Sequence, residues 1–108
     1  MQTIDYVKPD QVTSPRRLWS LIRVLENGDQ PDSFNERVAI SIGNWKSAPA
    51  LAVRWNGDEV SPNGNPQSRG LPTWFIVPRR LQEAVASTLS PENRVLVKCL
   101  LDNSAQKR

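Results

Sequence analysis

Residues 37–56, RVAISIGNWKSAPALAVRWN, alternate between apolar and other side chains over most of their length, and that alternation admits little besides an antiparallel hairpin. From Arg37 to Lys46, Val38, Ile40 and Ile42 fall on one face and Arg37, Ala39, Ser41, Gly43 and Trp45 on the other. A turn at Ser47-Ala48-Pro49 leads into Ala50–Asn56, where Leu51, Val53 and Trp55 share a face and Ala50, Ala52, Arg54 and Asn56 take the other. Ala39, Ser41, Gly43, Ala50 and Ala52 leave one side of the hairpin shallow, with Arg37, Trp45 and Arg54 standing above it. Such a surface can admit something flat, or a helix or a partner subunit can pack on it.

The flanking segments complete an α+β domain. Leu18–Glu26 satisfies both a strand and a helix template, and its β-branched pair with the following Asn27-Gly28 turn favours a strand. Thr73–Val77, apolar on both sides, reads as a strand that is central or covered on both faces. Pro78 ends it and suits the first position of a helix over Arg79–Leu89, with Leu81, Val85 and Leu89 in one stripe beside Ala84 and Thr88. In Arg94–Leu101 the helix-start signal Ser90-Pro91-Glu92 competes with the alternation of Val95, Val97, Cys99 and Leu101, and the alternation predicts an extra C-terminal strand. The expected organisation is an N-terminal arm over 1–16, loosely held, one domain over 17–103 and a frayed tail over 104–108.

Residue usage excludes several functions. The chain has no histidine, and Cys99 is its only cysteine, which removes disulfide frameworks, zinc knuckles and histidine-based acid–base chemistry. No metal or other cofactor is expected, and Asp58, Glu59, Glu83 and Glu92 show no paired spacing for acid–base work, so an enzyme is not expected. No apolar run approaches the roughly eighteen residues of a membrane helix, and MQTIDYVKPD lacks the features of a secretion signal; the expectation is a cytoplasmic protein with a reduced, buried Cys99. Fourteen Lys and Arg against 11 Asp and Glu leave a formal charge of +3. Most of the cations are arginines, which grip phosphate in two-point fashion and stack on bases.

The segment RWNGDEVSPNGNPQSRGLPTWF sets two tryptophans and two arginines at the mouths of a long loop without a helix or strand pattern of its own. Loops of that length are functional or disordered, and tryptophans at the ends argue for function. RVAISIGNWKSAPALAVRWNGD and GLPTWFIVPRRLQEAVASTL, within a span of roughly residues 20–89, resemble the central hairpin and the closing glycine, strand, proline and helix of the single-stranded-DNA-binding domain of the positive cofactor four family of transcriptional coactivators, in its small bacterial form. The match is of pattern over about two thirds of the chain. It implies a curved four-stranded antiparallel sheet with a helix packed on it, a homodimer, and binding of unpaired DNA by hairpin cations and aromatics. Arg54 falls on the arginine of the family's third strand, and Trp45 and Trp55 fall among its hairpin aromatics. Leu71 and Pro72 stand where the family carries a basic pair and Leu81 where it carries an aromatic, so Arg69 would have to supply the loop's cation.

The combined expectation is a single-stranded DNA- or RNA-binding protein with little sequence preference. Arg37, Lys46, Arg54 and Arg69 hold phosphates in this reading, Trp45 leads as the base-stacking residue and Trp55 joins it. Arg79 and Arg80 open a helix where its dipole disfavours cations, so a phosphate or Glu83 should compensate them. For Trp55, on the face of Leu51 and Val53, and for Trp74, in a doubly apolar strand, core burial competes with surface exposure. The alternative is a protein-interaction module built on the Trp- and Pro-rich loop 57–74.

Overall fold

The computed structural model describes residues 7–57 and 60–106, without the side chains of 103–106. Residues 1–6 of the expected arm, the Asp58-Glu59 pair and residues 107–108 of the expected tail lie outside this range. The fold is α+β. Strands β1 (Trp19–Glu26), β2 (Val38–Trp45) and β3 (Ala48–Trp55) form an antiparallel meander, and the two-residue β6 (Phe75–Ile76) completes a four-stranded sheet in the order β1-β2-β3-β6. A separate small hairpin, β4 (Gln67–Ser68) with β5 (Leu71–Pro72), sits inside the long loop. Helices α1 (Gln82–Ala86) and α2 (Pro91–Gln106) follow.

The central hairpin forms where the alternation put it, but with a tighter turn. Trp45 pairs with Ala48 and Asn44 with Pro49, so Ala48 and Pro49 belong to β3 and the loop is Lys46-Ser47. Both loop residues have positive φ, 51° and 68°, the requirement of a two-residue turn whose twist matches that of the strands. Pro49 is tolerated because it lies near the strand's start, where no strand pairs on the other side of β3. Register shifts between Leu21 and Arg23 and between Val24 and Glu26 mark irregularities in β1, which local bulges bend and twist.

Each face of the sheet carries its own apolar cluster. On one side Ile40, Ile42 and Leu51 pack with Val77, Leu89 and Val97, under the two helices. On the other, the shallow surface of Ala39, Ala50 and Ala52 is filled by Trp19, Trp74 and Val12. Gly43 has no room for a side chain, since a Cβ there would lie 2.6 Å from Cη2 of Trp19. The flat object on the small residues is therefore this chain's own pair of indoles.

Several expectations need correction. Residues 7–12 and 14 of the arm are tied to the domain: Val12 is buried, the indole of Trp74 donates to its carbonyl at 2.7 Å, and the Trp74 amide donates to the Ser14 carbonyl at 3.0 Å. The strand expected over Thr73–Val77 is shortened to Phe75–Ile76 and lies at the sheet edge, with Phe75 half exposed. Arg79–Leu81 is a 3-10 turn leading into α1, and Leu81 is exposed while Gln82 takes the inner position, donating to the Val77 carbonyl.

The largest departure is the C-terminal segment, expected as a strand from 94 to 101 and found as helix α2, which continues to Gln106 within the tail expected to fray. Ser90 caps it: its hydroxyl accepts from the Asn93 amide at 3.3 Å and its carbonyl from that of Arg94 at 2.9 Å, with Pro91 at the first helical position. Val97, Leu100 and Leu101, three and four apart, pack on the sheet, while Val95 and Cys99 face solvent, so Cys99 is not buried as expected. None of the helices among the described residues is long and apolar enough to cross a membrane.

Candidate nucleic-acid interface

The long loop before β6 is folded around one arginine. Arg54, read from the sequence as a surface phosphate ligand, is 1% exposed. Its register partner is Ala39, which places it on the small-residue face. Its guanidinium donates to the Thr73 carbonyl at 2.9 Å and to the Asn63 carbonyl, holding both limbs of the loop against the sheet. Gly64 is needed at φ 66°, where a Cβ would meet the same guanidinium. Trp55 and Asn65 form an isolated bridge, Gln67 donates to the Gly64 carbonyl at 2.7 Å, and Asn63 donates to that of Gly70 at 3.1 Å. Desolvation lowers the pKa of Arg54 from its ordinary value. The residue is a structural clamp, and the loop it clamps has a strand pair of its own that the sequence pattern did not reveal.

The other expected residues are distributed over the two ends of the hairpin. Arg37 lies at the open end, half-buried, with its guanidinium donating to the carbonyls of Gly28 and Asp29 at 3.4 and 3.0 Å. Trp55 is at that same end but on the helix-side face, 52% exposed, its indole donating to Glu36 at 2.8 Å. The structure thus resolves Trp55 as surface and Trp74, 3% exposed, as core. Arg69 is exposed at the tip of the β4–β5 hairpin, at φ 53°. Trp45 and Lys46 occupy the opposite, closed end. Arg37, Arg54 and Trp45 therefore do not stand together above one open surface, because Arg54 is inside and Arg37 and Trp45 are separated by the length of β2.

What gathers at the closed end instead is Trp45 with Arg79, expected from the sequence to need a phosphate or Glu83 beside it, and with Arg94 and Lys98, which the sequence pattern did not single out. A groove of about 950 Å³ runs beside the part of β3, 48–50, that β6 leaves unpaired. Trp45 lines it together with Arg79 from the 3-10 turn and Arg94 and Lys98 from α2; Glu83 and Asp102 also border it. Arg94 and Lys98 are four apart, so in a helix they project on one side. The Lys46 ammonium lies 5.6 Å from the centroid of the Trp45 ring, within cation–π range. An indole flanked by four cations can hold an aromatic base by stacking and its phosphates by charge-assisted hydrogen bonds. The signal available in the sequence was the spacing of Arg94 and Lys98, which has this meaning only once 91–106 is read as a helix.

Comparison with protein-family models, with curated proteins and with solved structures finds no match.

Proposed function

We propose that this protein binds single-stranded nucleic acid with little sequence preference, through the groove at the closed end of the β2–β3 hairpin. The observation that carries the reading is the presence of Trp45 in one groove with Arg79, Arg94 and Lys98. Bases stack on indole faces irrespective of sequence, and neutralised phosphates release counterions, so the two residue types together suit an unpaired strand. Trp45 and Lys46 remain in the assignment, Arg79, Arg94 and Lys98 replace Arg37 and Arg54 as the phosphate contacts, and Arg69 and Trp55 lie away from it. The resemblance to the coactivator family adds the expectation of a homodimer.

The test is a fluorescence titration with a single-stranded oligonucleotide. Trp19 and Trp74 are buried, so quenching should come from Trp45, and Trp45→Phe should abolish most of it while Trp55→Phe leaves it. Trp45→Ala should weaken binding by about 5- to 150-fold, the equivalent of roughly 1–3 kcal/mol for one stacked base. For four phosphate contacts the slope of log K against log salt should be about −3. Quenching that survives Trp45→Phe, or binding indifferent to salt, would remove the groove from the assignment.

A protein partner is favoured by a different observation. Phe75 pairs with Val53, and Trp55, two residues along β3, shares their face; both aromatics are about half exposed. A complex formed there should be insensitive to salt and lost on Phe75→Ser with Trp45 intact, whereas nucleic-acid binding should be unaffected by that change.

A further inference from the structure

The hairpin tip has a second basic hollow. Arg16, Arg17, Ser20, Asn44, Lys46 and Ser47 line a depression of about 460 Å³, and none of its lining residues among those described is acidic. In this it differs from the groove, where Glu83 and Asp102 offset part of the positive charge. The two depressions flank the tip through adjacent residues: Trp45 and Ala48 border the groove, and Asn44, Lys46 and Ser47 border the hollow.

Arg16 closes the segment that the sequence reads as a loose arm and Arg17 opens the domain, but the backbone around both is fixed. Trp19 donates to the Pro15 carbonyl at 2.9 Å, Lys46 to that of Leu18 at 2.9 Å, and Trp74 to that of Ser14 at 3.0 Å. These bonds bracket Arg16 and Arg17 and hold them over the turn. Both side chains are exposed, and the Nε of Arg16 donates to the Thr13 hydroxyl at 3.3 Å, a contact that leaves the rest of its guanidinium to the hollow. Three cations, two hydroxyls and one amide converge beside Leu18 and the buried Trp19, which is donor chemistry for phosphate oxygens.

We propose that the hollow holds the phosphates of the strand segment next to the base stacked at Trp45, so that the strand crosses the hairpin tip from the groove to the hollow, with Lys46 between them. This rests on the reading of the groove as a nucleic-acid site and extends it to a longer path. Its consequence is a dependence on strand length. A strand long enough to cross the tip engages both depressions, and a short one fills the groove alone.

The experiment compares binding of oligothymidylates of about 4 and about 16 nucleotides, the span of site sizes known for single-strand folds, to the parent and to the Arg16→Ala, Arg17→Ala double variant. For the long strand the double variant should bind roughly tenfold more weakly, with a salt slope shallower by about 1.4, that is about 0.7 for each lost contact. For the short strand the two proteins should bind alike. Arg17 makes no side-chain hydrogen bond within the described residues, so the single Arg17→Ala variant gives the same comparison with the fold undisturbed and should show about half the change in slope. Unchanged affinity for the long strand, or an equal loss on both lengths, overturns the crossing path while leaving the groove assignment standing. Failure of the parent to bind either strand strikes the groove assignment itself, and the path with it.

Discussion

Trp74→Ala is expected to lower the unfolding free energy by about 3–5 kcal/mol, the range for removing a large aromatic from a core. Trp74 is 3% exposed and shares its cluster with Val12, Trp19, Ala39, Ala50 and Ala52. Those alanines have no length with which to close the space, so the cavity left behind should relax little. The substitution also strands the Val12 carbonyl, which accepts the indole N–H at 2.7 Å. At about 4–8 °C per kcal/mol for a domain of this size, the midpoint should fall by roughly 12–40 °C. Trp74→Phe keeps most of the volume but not the hydrogen bond and should cost about 1–2 kcal/mol. Thermal unfolding followed by near-ultraviolet circular dichroism measures both. A shift of less than about 5 °C for the alanine variant would mean that the arm and the small-residue face are not joined through this ring.

Arg54→Met should cost about 2–4 kcal/mol and leave the electrostatics of binding alone. Methionine fills much of the same space but leaves the carbonyls of Thr73 and Asn63 without their donor. Relief of the guanidinium's desolvation offsets part of that loss. Because burial lowers the folded-state pKa, the unfolded chain holds the proton more firmly than the folded one. Burial of the charge therefore subtracts from stability wherever Arg54 is protonated, which covers the whole working range, and is relieved only in strongly alkaline solution. The hydrogen bonds to the loop are what make the residue net stabilising, and Arg54→Lys, with a single point of attachment in place of a planar fork, should restore only part of the loss. Chemical denaturation gives the stability difference. The salt slope of oligonucleotide binding should be the same for the methionine variant as for the parent, and a stable variant with a shallower slope would show instead that Arg54 contacts phosphate.

The central hairpin was legible because alternation is a local property: every second residue of 38–45 faces one side whatever surrounds it. β1 was legible for the same reason, helped by the turn residues that follow it. The C-terminal helix was not, because Val95, Val97, Cys99 and Leu101 imitate a strand while Val97, Leu100 and Leu101 do the packing. A valine on a helix surface and one in a half-buried strand look alike until the neighbours are known; the cap at Ser90 and Pro91 was the better guide. The β4–β5 hairpin escaped notice because two-residue strands have no period to detect, and its turn depends on positive φ at Arg69 and Gly70.

The same division runs through the candidate site. Small side chains at 39, 41, 43, 50 and 52 announced a shallow surface, but its occupants, Trp19 and Trp74, come from segments on either side of the hairpin in the sequence. Burial made Arg54 a clamp, and helix geometry brought Arg94 and Lys98 to Trp45.

Periodicity and turn chemistry in the chain alone determined that a twisted antiparallel hairpin would form and which residues would share each of its faces, since steric rules of the backbone act between near neighbours. Which face met which tryptophan, which arginine was buried and where the remaining cations converged were decided only by tertiary packing. Those outcomes depend on excluding water between segments tens of residues apart, and alternation along one strand carries no record of its distant partner.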